Sequence, residues 1–158
     1  MAHLEEKIRN YVHNVDTSFT KEAISTTLEY YPGTEVTYTP TTGANKVVYE
    51  CTYMTADTPD NRGSYICTRL QYSTDNGSSW TTIAGTQMLE GSYNNQTDYV
   101  YHNFMYTFIL DSWSGERKLR LAGRADSSST EYTIGRTFNT SGEGAGSCPH
   151  VTIYSVMT

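Results

Sequence analysis

Four histidines and three cysteines are spread through this 158-residue chain, and their spacing limits the chemistry they can support. His3 and His13 fall in the N-terminal segment, leaving His102 and His150 beyond it, each within or at the start of a strand-like run. An imidazole so placed is expected to be a hydrogen-bonded strand residue rather than a base or a ligand. There is no Gly-x-Ser-x-Gly elbow to expose a nucleophile, and no helix-borne histidine pair, phosphate-cradling glycine loop or EF-hand spacing. Cys51, Cys67 and Cys148 form an odd set without Cys-x-x-Cys spacing, which indicates neither a disulfide framework nor zinc. They read as free thiols packed as small apolar groups. Asp111, Glu116 and Glu131 stand at loop edges as solvated carboxylates. Whether two carboxylates reach the separation that glycoside hydrolysis needs is a question of space. The expectation is a non-enzymatic protein without metal or cofactor.

The most complete local pattern is Ser73-Thr74-Asp75-Asn76-Gly77-Ser78-Ser79-Trp80. Asn-Gly is the strongest short hairpin signal, because both residues accept positive φ. The octet resembles the Asp-box of sialidase-type propellers, in which the aspartate caps a hairpin, glycine supplies positive φ and tryptophan packs beneath. That resemblance implies a structural turn at Asp75, Asn76, Gly77 and Trp80, and a single copy in so short a chain implies no sialidase. Loop aromatics supply the candidate receptor or glycan contacts: Tyr93 with Asn94, and Trp113, flat rings beside amides and carboxylates.

These residues need a scaffold, and the composition favours β-structure. Hydrophobic residues make up only 37%, but 14 tyrosines and many threonines suit half-buried pleated surfaces. From Thr34 onward, alternating runs bounded by turn residues predict strands over 36–40, 46–55, 65–73, 80–83, 86–90, 99–111, 117–126, 131–138 and 149–156. The run from Tyr99 to Asp111 is bulky at nearly every position and is expected to be the innermost strand, covered on both faces. The last run sets Val151, Ile153 and Ser155 against His150, Thr152, Tyr154 and Val156, so it belongs between two neighbours. Together these runs predict an all-β, two-sheet sandwich.

The N-terminus reads differently. Leu4, Ile8, Tyr11 and Val15 are spaced four, three and four, which predicts a short amphipathic α-helix over 3–16 with an a/d seam. A helix this short needs its own domain, or copies from other chains, to cover its apolar stripe. Residues 17–32 read as a connector, so the expected division is an N-terminal helix and connector over 1–32 and a head domain over 33–158.

The net charge is −6 and the pI near 5.1; the basic residues are scattered, with Arg117-Lys118 the only adjacent pair, so no nucleic-acid partner is expected. No run approaches the roughly 20 apolar residues of a membrane-spanning helix, and the first residues lack the plan of a signal peptide. Synthesis and assembly in a cytosol, without membrane insertion, are expected.

The segments Pro32 to Pro40, Gly43 with Lys46 to Glu50, Leu70 to Gly77 and Pro149 to Ile153 together resemble the C1q/TNF-like jelly-roll heads of marine bacteriophage fibres. The resemblance covers roughly residues 30–158 and is carried by strand-and-turn patterns. It implies a jelly roll that forms a homotrimer, with Leu4, Ile8, Tyr11 and Val15 in a helix that docks on other virion proteins. The implied role is a structural virion protein, a fibre tip, knob or decoration of capsid or tail, made in the host cytoplasm and touching a host receptor or glycan. A free, lectin-like carbohydrate-binding module is the alternative, and a small glycoside hydrolase the most distant one.

Overall fold

Alternation with period two becomes strand almost wherever β-branched and aromatic residues recur. The computed structural model describes residues 7–15, 22–57, 62–94, 100–126, 132–134 and 148–157. In chain order the strands are β1 (Lys7–Val15), β2 (Glu22–Ile24), β3 (Glu29–Tyr30), β4 (Val36–Tyr38), β5 (Lys46–Asp57), β6 (Arg62–Ser73), β7 (Thr81–Thr82), β8 (Met88–Asn94), β9 (Val100–Asp111), β10 (Arg117–Ala125), β11 (Tyr132–Ile134) and β12 (His150–Met157).

The first sheet centres on β5. One edge of β5 pairs along its whole length with β9, and the other edge pairs first with β12 and then with β11. Outside these lie β1 against β12 and β2 against β11. The second sheet centres on β6 and β10, which pair from Ile66 with Ala125 to Ser73 with Lys118. Short strands β3 and β4 share the outer edge of β10, and β7 and β8 share that of β6. The chain changes sheet between β2 and β3, β4 and β5, β5 and β6, β8 and β9, β9 and β10, and β10 and β11. This strand order makes the two antiparallel sheets a jelly-roll sandwich.

The inward row of each strand fills the space between the sheets. Val47, Tyr49, Cys51 and Tyr53 of β5 and Val151 and Ile153 of β12 meet Ile66 and Leu70 of β6 and Leu119 and Leu121 of β10, all buried. Each large aliphatic or aromatic side chain so buried contributes about 1.5–3 kcal/mol. None of the three cysteines forms a disulfide; burial pushes the Cys51 thiol up to about 12.

Three expectations are corrected. β5 is the innermost strand of its sheet, whereas β9 has a neighbour on one side only among the described residues. The bulky outward side chains of β9 are uncovered, Met105 being 75% and Ile109 69% exposed. The segment read as a connector contains β2 and β3, which pair into the first and second sheet respectively.

The third correction concerns the N-terminus, where residues 7–15 form a strand instead of the expected helix; Leu4 lies outside the described residues. The register along β12 slips between Arg9 and Val12, so Asn10 and Tyr11 together oppose Tyr154. This is a β-bulge. Asn10 sits there at φ 51° and its side-chain amide donates to the Thr39 carbonyl at 2.7 Å. The extra residue returns Tyr11 to the face of Ile8, three positions back, and four more residues lead to Val15 on the same face. A bulged strand therefore produces the same four-three spacing as a helical stripe.

Candidate functional site

The hairpin between β6 and β7 is organised around Asp75. Ser73 Oγ donates to Asp75 Oδ1 at 2.6 Å, Ser79 Oγ to Oδ2 at 2.6 Å and the Ser79 amide to Oδ1 at 2.9 Å. Asn76 and Gly77 take φ of 58° and 92°, the paired positive values of a type I′ turn. The Trp80 indole donates to the Gly77 carbonyl at 3.0 Å. These donors hold the exposed Asp75 carboxyl far below its ordinary range, the Ser73 hydroxyl contributing most. The carboxylate and indole of the turn are spent within the turn, which leaves neither directed at a ligand.

Trp113 stands at the same end of the sandwich, in the loop between β9 and β10. The Arg117 guanidinium lies between two rings, 4.7 Å from the centroid of Tyr72 and 5.0 Å from that of Trp113. Beside it opens a cleft of about 210 Å³, walled by Ile83, Leu110 and Leu119. A wider trough of about 450 Å³ continues past Trp113 along the loops 39–44 and 112–115. The buried Trp113 Nε1 has no acceptor. Tyr93 and Asn94 are elsewhere: their backbones pair with Gly63 and Arg62 at the opposite end of β6. Tyr72 is nine residues beyond Gly63, about 30 Å at the usual rise, so no one ligand contact joins Tyr93 to Trp113.

A second polar centre lies between the sheets, and the sequence marks it only as a charged residue at the end of a strand run. Glu90 of β8 is 5% exposed. Its Oε1 accepts from Tyr53 at 2.5 Å, from Thr68 at 2.9 Å and from Tyr106. Tyr31 extends the network through a 2.7 Å bond to Thr68, while Glu90 Oε2 has no partner. Burial raises the Glu90 carboxyl above its ordinary range against the pull of the three hydroxyls. Desolvation also raises Tyr31, Tyr53 and Tyr106.

The outward face of the first sheet carries a different kind of site. In register, Tyr11, Tyr154, Val48 and Ile109 form one apolar row across β1, β12, β5 and β9, about 14 Å from end to end, Val48 being itself buried at 5%. The Tyr11 and Tyr154 rings stack with centroids 6.4 Å apart. Ile8 and Val156 lie alongside, and Ile8 and Tyr11 are 57% and 60% exposed. Val15 is half-buried and opposes His150. Polar groups border the row, Glu50 on one side and the Lys46–Asp111 ion pair on the other. Among the described residues no three His, Cys, Asp or Glu side chains gather as a metal site.

No protein-family model matches the chain, and no curated protein sequence matches it. Among solved structures, Eiger TNF from S. frugiperda is similar over 93% of this chain and 93% of its own, at 10% identity and a TM-score of 0.39. Dimeric latent PorU from Porphyromonas gingivalis is similar over 95% of this chain but 13% of its own, at 9% identity and a TM-score of 0.40. The class of the protein, an all-β jelly-roll sandwich, rests on its own strand order.

Proposed function

We propose that this chain is a structural head that assembles with copies of itself through the outward face of the first sheet. The observation that carries the reading is the row Tyr11, Tyr154, Val48 and Ile109, with Ile8 and Met105 exposed nearby. Apolar side chains aligned across four strands favour an apolar partner surface, and in a threefold ring that surface is a different patch of the neighbouring copy, since a face that meets itself gives a twofold pair. The threefold stoichiometry and the setting, an appendage of a virion assembled in a host cytoplasm, draw support from the sequence resemblance to phage fibre heads. Assembly rather than catalysis is the proposed role.

A second reading, a free glycan-binding module, is favoured by the Trp113 cleft, where an aromatic ring and a stacked guanidinium adjoin a concave surface.

Multi-angle light scattering tests the assembly reading. The full chain is expected to elute as a trimer, and Ile109→Lys combined with Tyr11→Glu as a monomer with an unchanged strand signature in circular dichroism. A wild-type chain that stays monomeric at high concentration overturns the reading and leaves the glycan-binding module ahead.

A further inference from the structure

Three of the basic residues, spaced apart along the sequence, gather in space. On the outward face of the second sheet, Arg69 of β6 pairs with Ala122 of β10, and Arg120 and Arg124 flank that alanine on the same face. Arg120 and Arg124 are about 13 Å apart along β10, with Arg69 midway and one strand over, about 5 Å to the side. Neither of the two ion pairs among the described residues, Lys46–Asp111 and Lys118–Glu35, uses any of the three. Like charges placed as cross-strand neighbours repel, and an anionic ligand relieves that repulsion.

Two of the guanidiniums are already oriented. Arg120 lies on the Trp80 ring at 3.7 Å and beside the Tyr30 ring at 5.2 Å, and its Nε donates to Gln71 at 3.1 Å. Arg69 is half-buried; its Nη2 donates to the Cys67 sulfur at 3.4 Å, and its Nε is buried without an acceptor. Arg124 is exposed. Around the three stand exposed apolar groups on the same sheet: Tyr30 at 46%, Tyr65 at 50% and Leu89 at 68%. Guanidiniums suit oxyanions, and rings among them suit the apolar faces of sugars.

We propose that this face binds an acidic polysaccharide, with Arg69, Arg120 and Arg124 receiving its carboxylate or sulfate groups and Tyr30, Tyr65 and Leu89 packing against its rings. The net charge is −6, and Asp126, which accepts from the Tyr65 amide, and Glu35, which acts on Arg120, stand near the face, so the long-range field opposes a densely charged nucleic acid, while a chain with more widely spaced acids engages the three arginines locally. The face is on the opposite side of the sandwich from the proposed assembly row.

The test is binding of the full chain to immobilised polygalacturonate and dextran sulfate, with neutral dextran and a single-stranded oligodeoxynucleotide as further arms. Retention by at least one acidic polymer, weakened by added salt, and none by neutral dextran is expected; the carboxylate and sulfate arms identify the preferred acid. Arg124→Gln and Arg69→Lys are each expected to weaken binding about tenfold, the scale of one charge-assisted hydrogen bond, with Lys46→Gln unchanged. Arg124 is exposed, so its variant keeps the fold and a thermal melt confirms it. The proposal is overturned if both acidic polymers are ignored, if neutral dextran binds as well, if the oligonucleotide binds more tightly than either, or if Arg124→Gln binds like the wild type.

Discussion

Asp75 and Glu90 are two carboxylates that both accept hydroxyl hydrogen bonds, and their surroundings push them in opposite directions. Asp75 is exposed and meets a converging set of serine hydroxyls and an amide within one short loop, so its charged form is favoured. Glu90 meets two tyrosines and a threonine drawn from three strands, but between the sheets the loss of water outweighs them. Donor count alone does not decide a carboxyl's charge; the dielectric in which the donors act does.

The largest expected effect comes from disturbing the packing behind Glu90. A Cβ at Gly123 would overlap the Tyr31 hydroxyl and stand 2.6 Å from the ring carbon that bears it. Gly123→Ala is therefore expected to displace Tyr31 from Thr68 and cost about 3 kcal/mol in urea denaturation, the upper range for overpacking. A loss within error would show that the network yields without strain.

Glu90→Gln sharpens the comparison through pH. Because the folded state raises the Glu90 carboxyl above its ordinary value of 4.5, the folded chain holds a proton that the unfolded chain has released. The Glu90 contribution to stability is thus fully present below the ordinary value and is lost as pH rises through the raised one. The stability difference between wild type and Glu90→Gln, followed by denaturation from acid to neutral pH, is expected to shrink as pH rises. For Asp75 the sign reverses: its contribution is present above the ordinary 3.8 and is lost as pH falls through the lowered value, so Asp75→Asn should mute acid destabilisation. Parallel slopes for the two variants would break the contrast.

The smallest effect is local to the hairpin. Gly77 sits at φ 92°, and a Cβ added there would lie 3.5 Å from the Trp80 ring, so Gly77→Ala costs mainly backbone strain, about 1 kcal/mol. Amide exchange is expected to quicken in residues 74–80 and not at Glu90.

Much of the fold is legible residue by residue. The runs read as strands over 46–55, 65–73 and 117–126 correspond to β5, β6 and β10, and the last run alternates as observed, with Val151, Ile153 and Ser155 buried between β1 and β5. Other parts mislead for definable reasons. The bulge at Asn10 lends β1 a helical spacing, and the large side chains on both faces of β9 read as cover where one face is open. Glu90 carried no signal, since its partners Tyr53, Thr68 and Tyr106 are far from it in sequence.

What the sequence determined by itself is whatever depends on neighbours in the chain: the alternation of strands, the Asn76-Gly77 turn and cysteines without a paired spacing. The tertiary structure alone decided which strand is central, that Tyr93 and Trp113 lie at opposite ends, that Glu90 is enclosed, and that Arg69 joins Arg120 and Arg124. Each of these follows from antiparallel register between distant segments, and register is chosen by the packing of the whole sandwich rather than by any local pattern.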